Sequence, residues 1–295
     1  MNSHTPLRLR TNIADYPATL AMKDGRVRSD LVELDFCGPK TAHQGFKPML
    51  RQNAFEVGEI ALATFLQARI QNKPYVLLPA PTVGKLQHKG IVYNSEHGIL
   101  APRDIEGRQV GVRSYTQTTG LWIRGVLQHS YGVNLDKVTW VTVEEAHVAE
   151  YQDPSHCLRV AETPTLTERM LSGELAAAML GYGIPDDPGV TTLIPDADQA
   201  ARQWYAQEGV IPLNHLIMVH EDLVRQHPDE VREIYRMVAE SRRFAPDGGA
   251  QLPPLGLEPN RKALQMAIDW SYEQRIIPRR MAVDDLFSEL TASLI

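Results

Sequence analysis

The chain has 295 residues, of which 43% are hydrophobic and 22% charged, and its formal net charge is −6. This length is enough for two modest lobes with real cores, and the composition is that of an ordinary globular protein. No basic tract or aromatic-interleaved basic patch points to nucleic acid, and no apolar run is long enough to cross a bilayer. Cys37 and Cys157 lie far apart and outside any CxxC or Cys/His cluster, so neither zinc nor a redox motif is suggested and inert thiols are expected. The start, MNSHTPLRLRTNIADYP, lacks the apolar centre of a secretory signal, and a cytoplasmic, reduced chain is the expectation.

In chain order, Leu7 to Ile13 reads as a strand, Pro17 to Lys23 as a short helix and Leu31 to Phe36 as a second strand. Gln44 to Gln52 is expected helical, Phe55 to Ile60 extended and Ala61 to Gln71 helical. Tyr75 to Ala80, nearly all apolar, closes this block as a strand covered on both faces. A second block starts with a strand at Gln109 to Val112, followed by an amphipathic helix over Thr116 to Tyr131 with Trp122, Ile123, Val126 and Leu127 on its apolar side. Val138 to Val143 is a strand, Leu166 to Ser172 a helix, Leu175 to Leu180 a strand by position, and Thr191 to Ile194 the last short strand. Alternating strands and helices imply parallel βαβ units.

MLRQNAFEVGEIAL and MLSGELAAAML each run from a helix end through a polar turn into an apolar extended segment, a weak internal repeat. Gly90 to Asn94 and Leu216 to His220 are the candidate crossings between lobes. Beyond them Asp222 to Arg243 and Asn260 to Gln274 are expected to be long amphipathic helices, separated by the Gly- and Pro-rich loop Pro246 to Pro259. The expected architecture is two α/β lobes, one of residues 1–88 plus 221–295 and one of residues 89–220, with the ligand in the cleft outside strand C-termini.

The stretch Ser114, Tyr115, Thr116, Gln117, Thr118 and Thr119 stands between the Gln109–Val112 strand and its helix. Helix-start N–H groups and the positive end of the dipole suit an anion there. One Ser or Thr would suffice to cap the helix, whereas five hydroxyls in six positions favour a binding loop.

Several segments carry a resemblance to a known family. They are DGRVRSDLVELDF, FEVGEIALATFLQARIQNKPYVLLPAPT, QHKGIVYNSEHGILAPRDIEGRQVGVRSYTQTTGLWIRGVLQHSYGV and LGLEPNRKALQMAIDWSYEQRIIPRRMAVDDLF, with YTQTTGLWIRGVLQ the most specific string. Together they resemble the 4,5-dihydroxyphthalate decarboxylase family over almost the whole chain. The resemblance implies an α/β, two-lobed type II periplasmic-binding-protein-like fold, each lobe a mixed, mostly parallel sheet flanked by helices. It also implies a cofactor-independent carbon–carbon lyase acting on a small aromatic carboxylate. The same fold hosts solute-binding proteins and other lyases, so a solute-binding protein for an aromatic carboxylate is the alternative.

Such a decarboxylase needs a proton donor, a group to activate a ring hydroxyl and partners for carboxylates. His88 and His215 sit at the mouths of the two crossings and are the candidates for acid–base work, each with a plain hinge hydrogen bond as its competing role. Glu59, at a strand end, is a candidate to activate a phenolic hydroxyl or simply to cap the next helix. Lys89, Arg113 and Arg124 are candidate carboxylate partners. Asp15, Tyr16 and Thr64 occupy strand-end positions, and Tyr182 is placed to stack on an aromatic ring. Glu144–Glu145 is expected to be a solvated loop without chemistry. No GxGxxG or Walker loop and no HExxH is present, so no cofactor is expected; a His–Glu metal site built from both lobes stays open as an alternative. No nucleic-acid or membrane partner is expected, and the C-terminal helices are compatible with a homo-oligomer that no heptad pattern demands.

Overall fold

The structure, a computed structural model, describes residues 5–181, 183–246, 249 and 252–295. Its eleven strands are β1 (Leu7–Asn12), β2 (Val32–Asp35), β3 (Val57–Ala61), β4 (Tyr75–Gly84), β5 (Ile91–Asn94), β6 (Gln109–Val112), β7 (Thr139–Thr142), β8 (Cys157–Arg159), β9 (Ala177–Met179), β10 (Val190–Thr192) and β11 (Leu213–His220). Its α-helices are α1 (Leu20–Lys23), α2 (Phe46–Gln52), α3 (Leu62–Ile70), α4 (Thr118–Tyr131), α5 (Leu166–Leu171), α6 (Ala197–Glu208), α7 (Glu221–Gln226), α8 (Pro228–Arg242), α9 (Arg261–Glu273) and α10 (Glu289–Ala292).

The strands form two sheets of order β2-β1-β3-β11-β4 and β10-β5-β9-β6-β7-β8. In the first, β1 is parallel to β2 and β3, and β11 runs antiparallel between β3 and β4. In the second, β9, β6, β7 and β8 are parallel, and β5 runs antiparallel between β9 and the edge strand β10. The two copies of the repeated phrase do the same job. The first ends in β3, which pairs with β1, and the second in β9, which pairs with β6. The nearly all-apolar run Tyr75–Ala80 of β4 has the expected cause: it is buried on both faces.

Three differences from the sequence expectations have clear reasons. The Asp222–Arg243 helix is two helices, because Pro228 lacks an N–H and keeps His227 out of helical geometry (φ −137°, ψ 56°). Both crossings come earlier than Gly90–Asn94 and Leu216–His220, because Ile91–Asn94 is β5 of the second sheet and Leu216–His220 is part of β11 of the first. Helix α6, whose only fully buried side chains are Ala197, Ala201 and Trp204, carries too short an apolar stripe to stand out in the sequence.

Gly84 to Gly90 leads out to the second sheet and Gly209 to Leu213 leads back. The two crossings are tied to each other by Lys85 N–H donating to the Pro212 carbonyl (3.1 Å) and by Gln87 Nε2 donating to Asn214 Oδ1 (2.7 Å). One continuous core runs from the inner side of the first sheet through α3, α4 and α9 to the second sheet. At its centre Trp270 of α9 lies against α4 where only a glycine fits: a Cβ at Gly125 would stand 1.9 Å from the Trp270 ring. No helix of the described residues is long and apolar enough to cross a membrane.

Candidate active site

The site grows from the register of β3 and β11. His215 lies opposite Ala61, so His215 and Glu59 are diagonal neighbours on one face of the antiparallel pair. Glu59 is completely buried, and a buried carboxylate needs every oxygen satisfied. Its Oε1 accepts from the Tyr16 hydroxyl (2.8 Å) and is hydrogen-bonded to His215 Nδ1; its Oε2 accepts from the Ala14 N–H (3.1 Å). Ala14 and Tyr16 belong to the turn that leaves β1, whose C-terminal residues Thr11 and Asn12 pair with Val57 and Gly58 at the start of β3. Burial alone would push the Glu59 carboxyl up. The facing His215 charge, its hydrogen bond and the Ala14 and Tyr16 donors outweigh that and hold it below the usual carboxylate range. An ionised Glu59 can only accept, so Nδ1 of His215 carries the proton and Nε2 is left for a ligand. The His215 side chain is 23% exposed, which gives it access to the cleft.

Two further histidines join it. Phe46 of α2 meets the rings of both His215 and His147 edge-on, at 5.7 and 5.3 Å between centroids. His147 Nδ1 is hydrogen-bonded to Thr64 Oγ1 at 3.0 Å. Burial first, then the positive charges of Arg113, Lys47, His43 and Arg51, push His147 down to about 3, so it stays neutral. Half-buried His43 is also pushed down, by burial, by Arg113 and by His215, against an opposing effect of Glu144. His43, His147 and His215 thus gather with Arg113 beside the buried Glu59 carboxylate.

His147 reaches this place on a strap between β7 and β8 that leaves the second lobe and is fastened to the first. Glu145 pairs with Lys47 (2.9 Å) and Arg51 (3.2 Å), Arg51 donates to the carbonyls of Ala146 and His147, and Glu150 pairs with Lys73 (2.7 Å). Glu145 is solvent-exposed, as expected from sequence, and its pairing with Lys47 and Arg51 adds a tie between strap and first lobe. Neither His43 nor His147 stood out in the sequence. The available signal was position, since His147 follows the C-terminal end of a parallel strand by five residues.

The polar loop of residues 114–119 splits into two parts. Thr118 Oγ1 accepts the Ala63 N–H from the start of α3 (3.0 Å), Thr119 Oγ1 accepts from Asn214 Nδ2 (3.3 Å), and the Tyr115 hydroxyl donates to the Gln274 carbonyl (3.0 Å). Those three hydroxyls join lobes and helices. Ser114 and Thr116 are hydrogen-bonded to each other at 3.3 Å, and Gln117 Oε1 is buried without a hydrogen-bond partner, so these three are the loop's polar groups left for a ligand.

The remaining expected residues stand elsewhere. Arg124 is not at the cleft surface. It is wholly buried under the loop, donating to the Tyr115 carbonyl (2.6 Å) and Gln274 Oε1 (2.8 Å) with its guanidinium 4.1 Å from the Tyr115 ring centroid. Its nearness to the loop in sequence reflects support from beneath. Lys89 is an exposed partner of Asp198 (2.7 Å), and exposed Asp15 pairs with Lys23. His88 is 3% exposed, packs against Trp204 (5.8 Å) and is pushed down to about 4 by burial. Among the described residues it shares no hydrogen bond, ion pair or ring contact with the His215 cluster. Tyr182 lies outside the described residues. Among the described residues, no group of three or more His, Cys, Asp or Glu side chains is arranged to hold a metal ion.

Two sheets of this order, joined by two crossings, define a type II periplasmic-binding-protein-like α/β fold. Solved structures agree in fold. The alkanesulfonate-binding protein SsuA from Xanthomonas axonopodis pv. citri aligns over 97% of this chain and 99% of its own, with TM-score 0.60 and 12% identity. The periplasmic aliphatic sulphonate binding protein SsuA from Escherichia coli covers 96% and 92%, with TM-score 0.63 and 12% identity. The desulfurization enzyme DSZB in complex with biphenyl-2-sulfinic acid covers 96% and 97%, with TM-score 0.57 and 14% identity.

In sequence, the chain is similar to two curated proteins named 4,5-dihydroxyphthalate decarboxylase. The one from Comamonas testosteroni is 24% identical over 241 residues, 75% of this chain and 71% of the relative. The one from Pseudomonas putida is 27% identical over 212 residues, 68% of this chain and 81% of the relative. The family resemblance read from the sequence is thus found independently in two named relatives. No family model matches the chain.

Proposed function

We propose that the protein is a carboxy-lyase acting on a hydroxylated aromatic dicarboxylic acid, with 4,5-dihydroxyphthalate going to protocatechuate as the first choice. The observation that carries this reading is the Glu59–His215 pair. A fully buried carboxylate fixes the imidazole tautomer and stabilises an imidazolium, an arrangement suited to moving a proton at Nε2. Capturing a solute asks only for donors and shape. The fold is neutral on this point, since SsuA proteins and a desulfurization enzyme share it.

In this reading protonated His215 delivers its Nε2 proton to the ring carbon that bears the departing carboxylate. The para hydroxyl gives up its proton and its electrons enter the ring, which becomes a dienone. The carbon–carbon bond then breaks, carbon dioxide leaves, the bonding electrons restore the aromatic ring and the phenolate is reprotonated. The net change is uptake of one proton and loss of one carbon dioxide. Arg113 and the Ser114–Thr116–Gln117 group hold carboxylates, and neutral His43 and His147 supply hydrogen bonds to the ring hydroxyls or the second carboxylate. This route uses no organic cofactor, and a cytoplasmic setting suits a catabolic enzyme of this type.

Purified protein with 4,5-dihydroxyphthalate, followed by carbon dioxide release and protocatechuate formation, tests the proposal. Turnover that is lost in His215→Gln supports it. Tight binding with no product, across a panel of hydroxylated aromatic acids, decides for a solute-binding protein instead.

A further inference from the structure

Glu144 follows β7 as Arg113 follows β6, and the two strand ends are clamped together. The N–H groups of Val143 and Glu144 both donate to the Arg113 carbonyl, at 3.1 and 2.8 Å. This fixes the two side chains beside one another at the edge of the histidine cluster, where both act on His43. Arg113 Nε stands 3.7 Å from Glu144 Oε2, an ion-pair separation too long for a hydrogen bond. The same Nε is buried and has no hydrogen-bond partner. The guanidinium therefore has its charge balanced while one of its inward donors lacks an acceptor. Both side chains remain about one-third exposed, so the pair is reachable from the cleft.

We propose that Glu144 is a specificity-determining residue: a resident carboxylate that balances Arg113 in the empty site and gives way to a ligand carboxylate, so that doubly charged aromatic acids are retained and singly charged ones are released. This rests on the reading of the cleft as a carboxylate site. A dicarboxylate brings one group to Arg113 and keeps a second for the remaining donors. Decarboxylation removes one negative charge from the ring acid, because carbon dioxide leaves neutral and a proton is taken up. The product then has a single carboxylate and must compete with Glu144 for the same guanidinium. Repulsion by Glu144 opposes either ligand, but it is decisive only for the one with no second anchor.

Titration calorimetry with benzene-1,2-dicarboxylate and benzoate, neither of which has a hydroxyl to drive reaction, tests this on the wild type, Glu144→Gln, Glu144→Ala, Arg113→Met and the Glu144→Gln/Arg113→Met double variant. The wild type is expected to prefer the dicarboxylate. Glu144→Gln is expected to tighten benzoate by about tenfold, and the dicarboxylate by less. Glu144→Ala is expected to do the same, and the gain is expected to vanish in the double variant. Unchanged or weaker benzoate binding in both Glu144 variants overturns the proposal. So does a gain that survives loss of Arg113. The decarboxylase reading fails separately, if the wild type binds the dicarboxylate and leaves 4,5-dihydroxyphthalate intact. A wild type that binds neither probe overturns the specificity proposal, while the decarboxylase reading stands or falls on turnover of 4,5-dihydroxyphthalate.

Discussion

Glu59 on β3 and His215 on β11 are diagonal neighbours across an antiparallel strand pair, and the buried carboxylate of the first holds Nδ1 of the second. Both are sheet residues rather than loop residues, so the imidazole is held by the strand register itself. Rigid elements position catalytic groups better than loops do.

Glu59→Gln keeps the shape of the pair and removes its charge. A glutamine that offers its oxygen to Tyr16 and its amide to His215 pushes the imidazole toward the wrong tautomer. The expected loss in kcat is about a hundredfold or more, with KM little changed. The same variant has a stability signature. Because the folded Glu59 carboxyl titrates below its ordinary value of 4.5, the unfolded chain binds more protons as pH falls through that range. Its stabilisation is complete above pH 4.5 and is lost on going below it. Thermal unfolding of wild type and Glu59→Gln is expected to converge toward low pH and to separate above 4.5.

His88 gives the opposite outcome for activity. Its folded form is pushed from 6.5 down to about 4, so it is neutral in the folded protein across the working range. The unfolded chain takes up a proton below 6.5, so stability is full above pH 6.5 and declines between 6.5 and about 4. His88→Leu, which retains packing against Trp204, is expected to flatten this decline and to leave kcat near wild type. A collapse of kcat with an intact fold would return His88 to the mechanism.

Arg124→Met tests the support beneath the polar loop. It strips the Tyr115 carbonyl and Gln274 Oε1 of their donors in a buried place, and a loss of about 3 kcal/mol in denaturant unfolding is expected. Arg124→Lys is not expected to rescue it, because one ammonium cannot reproduce the planar fork. Equal stability in all three proteins would contradict the buried role.

Gly125→Ala tests the joint between α4 and α9. The added methyl has no room beside the Trp270 ring, and about 2 kcal/mol or more of destabilisation is expected by calorimetry, although alanine is the better helix former.

How far the sequence reveals this protein differs between fold and site. Apolar runs such as Tyr75–Ala80 and the repeated helix–turn–strand phrase made the two-sheet α/β layout readable, because burial on both faces leaves a plain pattern. Glu59, Tyr16 and Thr64 were readable as strand-end residues, Arg113 as a candidate carboxylate partner and His215 as a residue at the mouth of a crossing. That Glu59 and His215 share one face was not, since it depends on a register between strands 156 residues apart. His43 and His147 were missed for a related reason. One lies on a short 3₁₀ turn and the other on a strap that crosses between lobes, and neither local context has a periodicity to mark it. The opposite error occurred at Arg124 and in three of the five Ser114–Thr119 hydroxyls. Polar side chains close together in sequence suggested a ligand, while three-dimensional packing uses them to join helices and lobes.

The central claim is that His215 delivers a proton to the ring carbon that loses carbon dioxide. Turnover of 4,5-dihydroxyphthalate in deuterated water, with proton NMR of the product from wild type and His215→Gln, tests it most directly. Protocatechuate bearing one deuterium at the vacated ring position is expected from the wild type, with a kcat at least about a hundredfold lower from His215→Gln. A His215→Gln protein that makes the same product at the wild-type rate would contradict it.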